Sequence, residues 1–419
     1  MNEIRYREFF TAISLVFSWM FFQISQPVIG IFIMMVPILA VHRIYLRRYS
    51  GCVSIYFLFV IYLTICTLLN INVNYDSQLT INQLVKIYIV LGISCLLFGN
   101  IDQIVLLEYV RNIGAFFSSM GIIEALIRFP FLQRILGITS FVYRDNYRTE
   151  LIFQSPIICG TYLGFFLCLI VLYPYRNKKR QAIVLLISIV SIALNQSRSS
   201  WIAVAVAILA YQYKKNGDKI LRTIKQILRP TQVKIVIIVF VLLILFVDVV
   251  SGTKAVVTKI LNISERIINT FNAGDGNIIR IDTILKSTIY WKDGHSIEFL
   301  FGGGKNADKI FLKANPIVKG NEGFIWDDCL DNQYFTWIHE VGIIGLSIFI
   351  WMLYVMMKSY KRHNNANNEI VKLFCLMLFL VVNIFFYDGY NYPQIMMLIT
   401  MIVVMFDNAK VSQIRVSFV

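Results

Sequence analysis

In the stretch LNQSRSSW, residues 194–201, one arginine, Arg198, stands among amide and hydroxyl side chains between two apolar runs. A guanidinium is a planar fork of donors that pairs two oxygens of a phosphate or carboxylate at once. Ser197 and Ser199 flank it with hydroxyls that can order such an anion. An arginine at the bilayer centre costs about 2.5–3.5 kcal/mol, and one at the interface escapes much of that by snorkelling. The plain reading of Arg198 is therefore a snorkelling side chain in a tight turn, and the functional one is an anion-binding group. Arg280 in GNIIRIDTILKSTIYW, and Arg144 with Arg148 in VYRDNYRTELIFQSP, are further cationic points of this kind. For Arg280 the competing reading is a solvated helix face.

Two other stretches carry reactive side chains. FGGGKN, residues 301–306, can be a nest of backbone N–H groups cradling a phosphate beside Lys305, or a simple turn. It is not a P-loop, because the GxxxxGK[ST] spacing is absent. In DDCLDNQYFTWIHEVGIIGL, residues 327–346, the triad Asp327, Asp328 and Asp331 has the D-D-x-x-D spacing of a magnesium site, but capping of the following helix accounts for it more simply. Asp331, Asn332, Tyr334 and Glu340 stand at the mouth of that helix, where they can hydrogen-bond a sugar or, as Asp331 or Glu340, take its proton. Gly342 and Gly345 read as positions of close helix approach.

The elements that must position these residues are membrane helices. The chain is 58% hydrophobic and only 15% charged, outside the range of a soluble domain. Its mean hydropathy is +0.67. Apolar runs long enough to cross a bilayer recur about twelve times. They centre near residues 9–26, 27–42, 52–70, 83–99, 104–124, 155–173, 181–195, 201–213, 235–251, 335–357, 370–386 and 393–407. The net charge of +15 does not mark nucleic acid, because the basic residues gather in alternate breaks. HRIYLRRYS, YRNKKRQ, the segment from Tyr213 to Lys234 and KSYKRHNN fall on one side, which the positive-inside rule makes cytoplasmic, with both termini. The arginine and carboxylate stretches above fall on the outer side, and an anionic substrate at the outer leaflet fits three separate arginine points there.

The expected fold is all-α: a polytopic protein of the cytoplasmic membrane with about twelve spans and one large, mostly helical extracytoplasmic loop. This divides the chain into residues 1–251 with nine spans, the loop 252–333 as a lid over the site, and 334–419 with three spans and a short tail. The first run leads into a second span without a small-residue cleavage site and reads as a signal anchor. Only one of the seven cysteines, Cys329, falls in the large loop, so no disulfide closes that loop on itself. The histidines are too scattered for a zinc site, and neither metal nor cofactor is expected.

The stretches YRTELIFQSPIICGTYL, LNQSRSSWIAVAVAIL, RIDTILKSTIYWKDGHSIEFLFGGGKN and DNQYFTWIHEVGIIGL, in this order around a large outer loop, resemble the O-antigen polymerase and O-antigen ligase superfamily. The resemblance covers roughly residues 140–360 and implies a metal-independent membrane glycosyltransferase whose donor and acceptor are polyprenyl-diphosphate-linked oligosaccharides. It implies that Arg198 and Arg280 hold the lipid diphosphate. Family ligases typically carry a histidine where this chain reads DNQY, and His339 lies inside the next helix, which favours a polymerase over a ligase. Membrane lipids, a chain-length regulator and a flippase are the expected partners, with no nucleic acid. A flippase or transporter of the same lipid-linked sugar is the rival from another class, and it would need charge lining a central cavity.

Overall fold

The computed structural model describes residues 8–15, 51–72, 77–99, 101–135, 148–153, 155–216, 275–319, 324–326, 330–363, 365 and 368–417. Its elements are α1 Cys52–Leu69, α2 Ser77–Gly99, α3 Gln103–Ile127, α4 Phe131–Ile135, α5 Pro156–Leu172, α6 Lys178–Asn195 and α7 Arg198–Asn216. After these come α8 Asp275–Lys292, α9 Ser296–Phe301, α10 Ala307–Ala314, strands β1 Ile317–Lys319 and β2 Phe324–Trp326, α11 Gln333–Arg362, α12 Glu369–Ile384 and α13 Pro393–Ser417. The architecture is helical, apart from a two-stranded antiparallel ribbon with Ile317 opposite Trp326. The expected spans 27–42 and 235–251 lie outside the described residues, as does most of 9–26 and the stretch 254–272 of the large loop.

Four of the described helices are long and apolar enough to cross a membrane: Cys52–Leu69, Thr80–Phe98, Gln103–Ile127 and Gln333–Arg362. This is a multi-pass membrane protein. Several helices run past the apolar stretch that marks them. The helix expected at 201–213 continues to Asn216 through Lys214 and Lys215, and that expected at 335–357 continues to Arg362. Hydropathy marks the lipid crossing, whereas basic residues in a last turn favour the negative end of the helix dipole and let the helix persist into the headgroup layer.

Helix α5 is the centre of the bundle. It is apolar all round and buried on every side from Ile158 to Ile170, which is the signature of a core helix rather than a lipid-facing one. It packs on α3, α6, α7 and α12. By contrast α1 turns Phe57, Leu58, Ile65 and Leu69 outward and buries the opposite stripe on α11. Helix α13 packs on α2 and α12, and its Asp407 accepts from the first backbone N–H groups of α1, Cys52 at 3.0 Å and Val53 at 2.9 Å.

The helix ends sort into two groups. At one end Lys214 Nζ donates to Lys361 O at 3.2 Å and the Tyr360 hydroxyl to Ala210 O at 2.8 Å, so the basic ends of α7 and α11 meet. The other end gathers the start of α5, the α6–α7 break, the start of α11 and the α12–α13 break.

Helix α11 is broken at Gly342, whose φ of 63° and ψ of −175° are open to glycine alone. The break frees two carbonyls that the glycine turn after α9 uses. Gly303 N donates to His339 O at 2.7 Å and Gly304 N to Glu340 O at 2.9 Å. A Cβ on residue 342 would stand 2.3 Å from Leu300 O. Gly342→Ala is therefore expected to destabilise the protein by about 1–3 kcal/mol from backbone strain alone, with the clash added to that. Thermal unfolding in detergent, compared with Gly92→Ala where the added Cβ meets open space, checks it.

Candidate active site

The α6–α7 break is built by local capping. Gln196 adopts the left-handed conformation that ends α6, and Ser197 O accepts from Trp201 N at 3.2 Å to begin α7. Arg198 is thus the first residue of a helix, half-buried, where the positive end of the helix dipole adds to its own charge. The break sits directly on α5, because at Gly160 an added Cβ would lie 2.4 Å from both Asn195 Oδ1 and Ser197 Cβ.

Arg148 comes to the same break, its Nε donating to Asn195 O at 3.2 Å and its Nη2 reaching Gln196 O at 3.5 Å. Asn195 answers by donating to Thr149 O at 2.7 Å and Pro156 O at 3.0 Å. The segment carrying Arg148 is fixed from below by Glu124 of α3, whose carboxylate accepts from Glu150 N at 2.8 Å and Leu151 N at 3.1 Å. Burial pushes the Glu150 carboxyl up to about 7. Arg144 lies outside the described residues.

From this break a seam of buried polar side chains crosses the bundle. Ser197 Oγ meets the hydroxyls of Ser199 at 3.2 Å and Ser200 at 3.1 Å, and Asn383 Nδ2 of α12 donates to Ser200 Oγ at 3.1 Å. Thr161 donates to Asn383 Oδ1 at 2.8 Å and lies 2.8 Å from the Tyr387 hydroxyl. Tyr387 opens the loop between α12 and α13. That loop is pinned by Tyr390, whose N–H donates to Gln333 Oε1 at 2.5 Å and whose hydroxyl meets that of Tyr56 at 2.8 Å.

Beyond Tyr387 the seam becomes charged. Lys305 Nζ donates to Glu340 Oε1 at 2.5 Å and to Asn391 Oδ1, and Asn391 Nδ2 donates to Asp388 Oδ2. Burial alone would lower the Lys305 ammonium, but the Glu340, Asp388 and Asp308 carboxylates outweigh it and hold it above its ordinary value. Asp308 is fully buried, and desolvation, with the Glu340 and Asp388 charges, pushes its carboxyl well up. A cavity of about 300 Å³ opens beside this cluster, lined by Ser155, Lys309, Asp331, Tyr387, Asp388 and Asn391 among others.

Several expected site residues serve the protein itself. The backbone N–H groups of residues 303–306 point at His339 O, Glu340 O, Thr67 Oγ1 and Glu340 Oε1, so FGGGKN is a turn stitched to α1 and α11 rather than a phosphate nest. Lys305 is 2% exposed and Glu340 wholly buried, each engaged with the other. Asn332 caps α11, accepting from Tyr334 N at 3.0 Å and Phe335 N at 3.3 Å, and the Tyr334 hydroxyl donates to Val381 O at 2.8 Å. Asp331 stands in the left-handed conformation just before that cap and faces the cavity. Arg280 lies in α8, which is tied down by Lys286 Nζ on Pro316 O at 2.7 Å and by Thr283 Oγ1, 3.5 Å from Leu330 O. The side chain of Arg280, like Asp327 and Asp328, lies outside the described residues.

His339 Nε2 lies 3.1 Å from Ser287 Oγ and its Nδ1 3.5 Å from Glu298 Oε1, which has the order of a hydrolase triad. Ser287 is wholly buried and its partners are His339 and, through it, Glu298, so the trio ties α8 and α9 to α11. Among the described residues no cluster of three or more His, Cys, Asp or Glu side chains can hold a metal ion.

Asp388, Asn391 and Asn383 are the site residues that reading the sequence missed. The signal was the polar break YDGYNYP between two apolar runs, an acid in an outer break too short to need one.

Residues 182–350 match the family model described as O-antigen ligase. Over this segment the chain is similar to the O-antigen polymerase and ligase superfamily. Arg198, Arg280, Lys305, Asp331 and Glu340 fall inside the matched residues, while Arg148 and Asp388 fall outside them on either side. No curated protein matches the chain. Superfamily members are glycosyltransferase-like enzymes of polysaccharide synthesis that act on lipid-linked glycans, and the expected resemblance stands.

Proposed function

We propose that this chain is the polymerase of polyprenyl-diphosphate-linked oligosaccharide repeat units, joining them at the outer face of the cytoplasmic membrane during O-antigen, capsule or exopolysaccharide synthesis. What supports it most is the convergence of separate outer breaks at one end of the bundle. Arg148 and Arg198 share the α6–α7 break, and one hydrogen-bonded seam runs from Ser197 to Tyr387 beside a cavity bearing Asp331 and Asp388. The basic ends of α7 and α11 meet at the opposite end, which the positive-inside rule assigns to the cytoplasm together with both termini. About twelve spans, with the segment 252–333 as the lid, complete the arrangement.

In the reaction a glycan on polyprenyl diphosphate is the donor and a lipid-linked repeat unit supplies the acceptor hydroxyl. As the bond to the anomeric carbon breaks, negative charge gathers on the departing diphosphate. Arg198, with Arg144, Arg148 and Arg280 and the Ser197 and Ser199 hydroxyls, binds that charge in a region of reduced dielectric, where a preorganised donor is worth about 3–4 kcal/mol. Transfer of a finished glycan by a ligase uses the same leaving group, and the product separates the two. Deleting the gene in its host should leave lipid-linked single repeats. Accumulation of full-length lipid-linked chains instead would make the protein a ligase, and sugar lipids trapped on the inner leaflet would make it a flippase.

A further inference from the structure

We propose that Asp388 is the general base of the transfer, taking the proton of the acceptor hydroxyl as that oxygen bonds the anomeric carbon. The proposal rests on the glycosyl-transfer reading above. Asp388 lines the cavity of about 300 Å³ and is 7% exposed. Its Oδ2 is fixed by Asn391, which is held in turn by Lys305, while its Oδ1 meets no donor among the described residues. One oxygen is anchored, and the other, buried at the cavity wall, has its accepting capacity unused. The other carboxylates are placed less well. Glu340 is wholly buried and carries Lys305 and Asn306 N, and Asp308 is buried away from the cavity. Asp331 lines the cavity too, but at the left-handed residue just before the cap of α11. The residue before Asp388, Tyr387, closes the seam that starts beside Arg198, so the proton acceptor and the leaving-group arginine sit on one framework.

The charges facing Asp388 favour this role. Burial raises its carboxyl, Lys305 lowers it, Glu340 raises it, and the Asn391 hydrogen bond and Lys309 lower it, leaving it at about 6. Asp308, Asp331, Tyr387 and Tyr392 complete its ionisable surroundings. At neutral pH such a carboxylate is ionised yet more basic than an ordinary one, which is what a base needs. In the step, the acceptor oxygen bonds the anomeric carbon and the bond from that carbon to the diphosphate breaks. Its electron pair leaves on the polyprenyl diphosphate, and the proton passes to Asp388 and then to water at the cavity mouth.

The test is polyprenyl-diphosphate release from a lipid-linked repeat unit by the full chain in proteoliposomes, between about pH 5 and pH 8, a range that spans the base's titration. The wild type should show a rate that rises through about pH 6. Asp388→Asn should fall about 10²- to 10⁴-fold in kcat with KM little changed, and lose the acid limb. Asp388→Glu, which keeps the carboxylate, should restore the limb and part of the rate. An Asp388→Asn protein that keeps the wild-type limb and rate overturns the assignment, as does a raised KM at unchanged kcat. If the wild type releases polyprenyl diphosphate but transfers glycan without elongating repeats, the polymerase reading fails and the base assignment stands. A wild type that releases none overturns both.

Discussion

Arg198→Ala should insert normally and yet leave cells without long-chain polysaccharide, with lipid-linked single repeats accumulating. The expected loss in kcat is roughly 10²- to 10³-fold, the cost of removing one preorganised donor from a developing anion. Insertion survives because Arg198 is half-buried at a helix start, where the helix is begun by Ser197 O rather than by the arginine side chain. Arg198→Lys keeps the charge but loses the fork, so it should fall between the two, since an ammonium is a point charge that cannot engage two phosphate oxygens in a plane. Chain-length distribution on a gel and lipid-linked repeats by mass spectrometry read both effects. Normal chain lengths in Arg198→Ala would remove the residue from the mechanism.

Lys305→Met should be the most destabilising change at the site. The side chain is 2% exposed and is the cation set among Glu340, Asp388 and Asp308, so its loss leaves buried carboxylates without a counter-ion. Breaking a buried pair from one side costs about 3–5 kcal/mol, whereas removing Glu340 as well takes away the carboxylate that pairs directly with Lys305. The double variant Lys305→Met with Glu340→Gln should therefore unfold at a higher temperature than Lys305→Met alone. Lys305→Met alone should also report on Asp388: with Lys305 gone and Glu340 kept, a charge that lowers the Asp388 carboxyl is lost and the acid limb of the rate should move to higher pH. Equal melting temperatures for the single variant and the wild type would show that the pair does not form in the membrane.

Much of this was legible in the residues. The apolar runs gave the helices, because a backbone in lipid has no other way to satisfy its hydrogen bonds. The α6–α7 break was visible in NQSRSS, whose small polar residues cap one helix and begin the next. Composition could not tell α5, buried on every side, from α1, which leaves Phe57, Leu58 and Ile65 exposed, because core and bilayer are equally apolar. Nor could spacing reveal that Lys305 pairs with Glu340 or that its turn docks on a break at Gly342, since both depend on contacts between segments remote in sequence. Asp388 stayed hidden for the same reason: its neighbours Lys305 and Asn391 meet only once α10, α11 and the α12–α13 loop are in place.

The most direct measurement places the purified protein in proteoliposomes with a lipid-linked single repeat unit as the sole glycan and follows products over time. A ladder of lengthening lipid-linked chains, with one polyprenyl diphosphate released per added unit, is the expected result. Intact single repeats moved across the bilayer without any diphosphate release would contradict it.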